Sequence, residues 1–107
     1  MTTFDDRERA FETKFAHDEE MAFRVTARRN KLLGQWAAGL MNLTPEETEA
    51  YSRAVIQAEF EEAGDEDVVR KLLGDLTAAG VDADDAMVRK AIEEQAVEAR
   101  RQLLESK

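Results

Sequence analysis

One proline serves the whole chain, and it stands at Pro45, directly after Thr44 and two residues before Glu47. Thr44-Pro45-Glu46-Glu47 reads as a capping box. The threonine side chain accepts from the backbone N–H three residues on, the glutamate side chain reaches back, and proline at the first helical position gives up no bond it would have made. Elsewhere only five glycines interrupt a sequence rich in Ala, Leu, Glu, Lys and Arg, the residues that favour helix. No stretch alternates apolar and polar residues as a strand would. The expected fold class is all-α: a four-helix bundle with a flexible or marginally helical N-terminal arm.

The punctuation divides the chain further. Asp18, Glu19 and Glu20 suit a helix start, where carboxylates meet the positive end of the helix dipole. From there a first helix is expected to reach Leu40, with Met21, Val25, Leu32, Trp36 and Leu40 on one face. The capping box opens a second, carrying Tyr51, Val55 and Ala58 inward and ending near Gly64. Asp65 caps a third with the stripe Val69, Leu72, Leu73 and Leu76, and Gly80 stops it. Asp82 or Asp84 opens the last, striped by Val88, Ile92, Ala96, Ala99 and Leu103. Such short connections favour antiparallel neighbours. The expected core is Leu32, Trp36, Leu40, Tyr51, Val55, Val69, Leu72, Leu76, Val88, Ile92 and Leu103. Residues 1–17 form the arm and 18–107 the bundle.

The arm has its own pattern. Phe4, Phe11 and Phe15 are spaced by seven and then four, so on a helix the three rings fall within roughly 40° of one another. Asp, Glu, Arg and Lys crowd both sides of that stripe. A helix this short is marginal alone in water, where about 12–15 residues are needed, yet it is suited to lie in a groove on another protein. It either binds a partner in this way or folds back on the bundle, and it either continues the first helix or parts from it. As partner-binding residues Phe4, Phe11 and Phe15 would be apolar anchors, while Asp5, Asp6, Arg7, Glu8, Arg9 and Lys14 would set register by charge pairing.

Several classes of function are disfavoured. With no cysteine there is neither disulfide nor thiolate metal site, and a single histidine excludes a multi-histidine site. No calcium loop, Walker A, GxSxG, HExxH or dinucleotide fingerprint occurs. His17 beside Asp18 and Glu19 lacks a nucleophile or oxyanion hole nearby, so no catalytic residue, cofactor or enzymatic activity is expected. A net charge of −9 argues against nucleic-acid binding. No apolar run suggests a secretory signal or a membrane span, so the chain is expected to be cytoplasmic without inserting into a membrane.

Three local features remain. Arg28-Arg29-Asn30-Lys31 stands out in an acidic chain, one turn before Trp36. Arg28, Arg29 and Lys31 could hold a phosphate while the Trp36 indole takes an adenine ring. In the plainer reading the arginines pair with nearby carboxylates and Trp36 fills the core. The acidic run Gly64-Asp65-Glu66-Asp67 is explained by capping more simply than by a cation. Phe23 points away from the Met21/Val25 face, as a second docking contact or as packing against another helix.

The string TTFDDRERAFETKFAHDEEMAF followed by ARRNKLLGQWAA resembles the zeta subunit family, the ATPase inhibitors of alphaproteobacterial F-type ATP synthases. GDEDVVRKL resembles the start of that family's third helix. Dense similarity covers about Thr2 to Leu40 and Gly64 to Leu73; the remainder matches in character. The resemblance implies a four-helix bundle whose N-terminal helix inhibits ATP hydrolysis. That helix would wedge between the catalytic alpha and beta subunits near the gamma rotor, on the cytoplasmic side of the membrane-bound ATP synthase. It also implies weak adenine-nucleotide binding to the bundle. A small helical nucleotide sensor with little or no inhibitory activity is the alternative.

Overall fold

In the computed structural model the chain forms four α-helices: α1 at Thr3–Leu40, α2 at Pro45–Ala58, α3 at Glu66–Ala78 and α4 at Asp85–Glu105. Residues 3–59 and 64–105 are described, with side chains from Glu19 onward, and no strand occurs among them. The longest helix, α1, packs along both α2 and α4, while α3 bridges those two and touches α1 more sparingly. The expected four-helix, all-α architecture is the one observed.

The helix ends show why the chain breaks where it does. Thr44 Oγ1 accepts from the Glu47 N–H at 3.1 Å, and Glu47 Oε1 accepts from the Thr44 N–H at 2.9 Å, completing the capping box. At the end of α3, Gly80 has φ +83°; its N–H donates to the Thr77 carbonyl and Val81 donates to the Leu76 carbonyl. This is a Schellman motif, in which glycine supplies the left-handed residue. The same device ends α1 with Asn42 at φ +58°, Leu43 donating to the Ala38 carbonyl. Asp84, rather than Asp82, caps α4 by accepting from the Met87 N–H at 2.8 Å.

Val55, Val69, Leu72, Leu76, Val88 and Ile92 are buried as expected. Leu32, Trp36, Tyr51 and Leu103 are only half-buried, and Leu40 is exposed. The expected inward face of α1 therefore needs correction. The residues that go deepest are Arg29, Asn30, Leu33, Gly34, Ala37 and Ala38, about a third of a turn around from Met21, Val25, Leu32, Trp36 and Leu40. Size explains the difference. α1 meets α2 so closely that a Cβ on Gly34 would lie 2.5 Å from Ser52 Cα. At the closest approach, between Gly34 and Ser52, no larger side chain fits, and the bulk of the buried face comes from Leu33 and Arg29 beside it.

The helix runs without a break through residues 17 and 18, where the arm was expected to meet the bundle. The side chains of Phe4, Asp5, Asp6, Arg7, Glu8, Phe11, Lys14, Phe15 and His17 lie outside the described residues. No helix among the described residues is long and apolar enough to cross a membrane.

Candidate functional site

The buried face of α1 carries a charge. Arg29 is 8% exposed, and its Nη2 donates to Glu59 Oε1 at 2.9 Å, Asp65 Oδ1 at 3.0 Å and Asn30 Oδ1 at 2.9 Å, while its Nε reaches Asn30 Oδ1 at 3.1 Å. Glu59 is the last residue of the α2 turn and Asp65 the residue before α3. One side chain of α1 thus holds both ends of the connection between two other helices. Asp65 stands at the N-cap position as expected, but its side chain makes no capping bond. Arg29 takes the carboxylate instead, in a hydrogen bond charged on both sides.

Electrostatics at this cluster are unbalanced. Burial raises the Glu59 carboxyl above its ordinary value; the Arg29 guanidinium pulls it back down, and the charge of Asp65 pushes it up again. Removing a charge from water outweighs a single shared cation here. Two polar atoms of the cluster, Asn30 Nδ2 and Glu59 Oε2, are buried without a hydrogen-bond partner among the described residues, and Asn30 as a whole is 0% exposed.

Beside the cluster lies a cleft of about 210 Å³. Among the described residues, α1 contributes Ala22, Phe23, Thr26, Ala27 and Asn30, and α2 contributes Ile56 and Glu59. Its wall is apolar except where the cluster shows through. Phe23, singled out in the sequence as turned away from the Met21/Val25 face, is 58% exposed at this cleft.

The basic run expected to hold a phosphate is not one cluster. Arg28 Nη1 donates to Gln102 Oε1 of α4 at 2.9 Å, Arg29 turns inward, and Lys31 lines a separate cleft of mixed character with Gln35, Pro45, Ser52, Arg53 and Ile56. Trp36 packs half-buried against the core. The three basic side chains thus do not converge on one site.

The acidic run behaves similarly. Asp65 pairs with Arg29, Glu66 with Arg89 at 3.0 Å, and Asp67 with Arg70 at 3.0 Å, so three adjacent carboxylates serve three arginines. No group of three metal-ligating side chains occurs among the described residues.

Asn30 and Glu59 were missed as site residues in the sequence. A signal existed for Asn30, which stands three and seven residues before Leu33 and Ala37 on what proves to be the buried face. Glu59 offered none, since its burial depends on a partner 30 residues away.

Comparison with known proteins places these observations. A search of curated proteins returns no match. A structure solved by solution NMR is 42% identical, superposes with a TM-score of 0.73, and aligns over 81% of this chain and 99% of its own. The family model described as ATPase inhibitor subunit zeta matches residues 1–102, spanning the N-terminal helix and the whole bundle core. With almost its entire length matched, this chain belongs to the ATPase inhibitor subunit zeta family.

Proposed function

We propose that this chain inhibits ATP hydrolysis by the catalytic head of an F-type ATP synthase, with residues 1–17 as the inhibitory element and residues 18–107 as the bundle that carries it. The observation that carries the reading is the length of α1. At 38 residues it exceeds α4, at 21, by 17 residues, or about 25 Å at 1.5 Å per residue. Arg28 already meets Gln102, three residues before the end of α4, so less than one turn of α4 is left to run beside the helix N-terminal to it. A single helix beyond the bundle suits a groove in a larger partner.

In this reading the helix enters between the alpha and beta subunits and reaches toward gamma, opposing rotation in the hydrolytic direction. Phe4, Phe11 and Phe15 anchor it by burying aromatic surface. Asp5, Asp6, Arg7, Glu8 and Lys14 fix its register through complementary charge. The bundle keeps the element close to the enzyme once any second contact forms, raising its effective concentration. The action takes place on the cytoplasmic side, where the catalytic head of the synthase stands. The alternative, an adenine-nucleotide sensor built on Arg28, Arg29, Lys31 and Trp36, draws less support because Arg29 is committed to Glu59 and Asp65.

The test is ATP hydrolysis by the cognate catalytic head, titrated with the full chain and with a chain beginning at Asp18. Saturable inhibition by the full chain alone supports the reading. Inhibition by both moves the active surface to the bundle, and inhibition by neither overturns it.

A further inference from the structure

We infer that the cleft between α1 and α2 is a second docking point on the same ATPase, and that its occupant is a tyrosine side chain of that enzyme. The inference rests on the reading that residues 1–17 bind the enzyme, and it adds a contact in the bundle itself.

Position supplies the first argument. The cleft begins at Ala22, on the same uninterrupted helix as the inhibitory element. At 100° per residue, positions 15, 22 and 26 fall within roughly 40° of one another. A partner surface that follows the stripe ending at position 15 therefore continues onto Ala22 and Thr26, the outer edge of the cleft.

Volume and chemistry supply the second. A cavity of about 150 Å³ accepts a benzene ring, so about 210 Å³ has room for one ring and a small substituent. Among the described residues, Asn30 Nδ2 is a donor without an acceptor, and Glu59 Oε2 an acceptor without a donor. Their residues are held together because Asn30 Oδ1 and Glu59 Oε1 bind the same Arg29 nitrogen. A hydroxyl is the smallest group that accepts from one and donates to the other. Tyrosine joins such a hydroxyl to an aromatic body, whereas phenylalanine would leave both atoms as they are. Both atoms are closed to solvent in the free chain, so seating the ring against them requires the wall side chains to part.

The experiment uses the full-length chain and two probes, p-cresol as the tyrosine side chain and toluene as the same ring without oxygen. Backbone and methyl NMR shifts are followed during titration. p-Cresol is expected to shift Ala22, Ala27 and Ile56, and to bind about tenfold more tightly than toluene, the ratio that one or two buried hydrogen bonds give. Toluene is the more apolar molecule, so binding equal to or tighter than p-cresol overturns the assignment of the two polar atoms. No shift at these residues overturns the cleft as an aromatic site.

The second arm is ATPase inhibition by Ala22→Trp, which fills the mouth of the cleft from an exposed position. The expected result is about tenfold weaker inhibition with helical content unchanged. Full-strength inhibition by this variant, beside p-cresol binding by the wild type, overturns the ATPase as the source of the ring. Self-association that p-cresol reverses would name a second copy as occupant and also overturn it. Failure of the wild-type chain to inhibit overturns the underlying functional reading, and is distinguishable because probe binding is read without the enzyme.

Discussion

Arg29 and Glu59 lie 30 residues apart in sequence and 2.9 Å apart in space, across the seam between α1 and the end of α2. Both side chains are mostly buried, and Asp65 shares the same guanidinium nitrogen. Removing the cation would leave two carboxylates facing each other with no counter-charge. Arg29→Met is therefore expected to lower the free energy of unfolding by about 3 kcal/mol, at the low end for breaking a buried pair because Asp65 retains contact with solvent. Arg29→Lys should recover part of that loss, since an ammonium restores charge but not the planar fork. Urea unfolding of the three proteins measures both. A loss below about 1 kcal/mol for Arg29→Met would reduce the cluster to a surface ion pair.

Glu59 gives the cluster a pH dependence whose sign can be stated. Its carboxyl is raised above 4.5, first by burial, so the native chain holds that proton more tightly than the unfolded chain does. Stability from this source is present at and below the ordinary carboxylate value and is lost as pH rises through the raised one. Glu59→Gln stays neutral throughout. Wild type should thus lose stability relative to Glu59→Gln as pH rises from the ordinary carboxylate range through the raised one, read from urea midpoints at matched ionic strength. A wild-type gain over that interval would mean that the pull of Arg29 exceeds the cost of burial.

The two glycines at Gly34 and Gly74 should respond in opposite directions. A Cβ at Gly34 meets Ser52 Cα at 2.5 Å and Ser52 Oγ at 2.7 Å, and backbone cannot swing aside as a side-chain tip can. Gly34→Ala must separate α1 from α2 and should cost about 1–3 kcal/mol. Nothing lies within 4 Å of a Cβ at Gly74, which is helical and exposed. Gly74→Ala should stabilise by about 0.5–1 kcal/mol through reduced freedom of the unfolded chain. Thermal unfolding of the pair checks both signs, and a neutral Gly34→Ala would show that the seam can open at little cost.

The local signals of this fold were legible in sequence because they are made by residues close along the chain. Thr44 and Glu47 are three apart, and Gly80 ends α3 through carbonyls within the preceding turn. The face that α1 buries was not legible by ranking apolar residues, because close approach at Gly34 and Ser52 selects for small side chains. Arg29 illustrates the same limit from the polar side. The pairing of an arginine with nearby carboxylates was readable as the plain reading of the basic run, but not that Glu59 and Asp65 would be its partners. Those partners are defined only once the end of α2 and the start of α3 meet α1. What a helix docks into is a property of the partner, so neither local signals nor periodicity carries it; the resemblance in the first forty residues reached the family, which the match over residues 1–102 bears out.

The N-terminal anchors supply the sharpest functional prediction. If Phe11 and Phe15 bury their rings in the ATPase, truncating either removes contact area that the free bundle does not use. Interface aromatics of this kind cost about 2 kcal/mol or more on truncation, equivalent to roughly thirtyfold in affinity. Phe11→Ala and Phe15→Ala should accordingly need about thirtyfold more protein for half-inhibition, while their urea midpoints stay at the wild-type value. The pairing of readouts matters. A stripe folded back on the bundle would lower the midpoint together with inhibition, and a stripe without a role would change neither. Equal inhibition by mutant and wild type would remove the rings as anchors and leave the charged residues around them, Arg7, Glu8 and Lys14, to carry recognition.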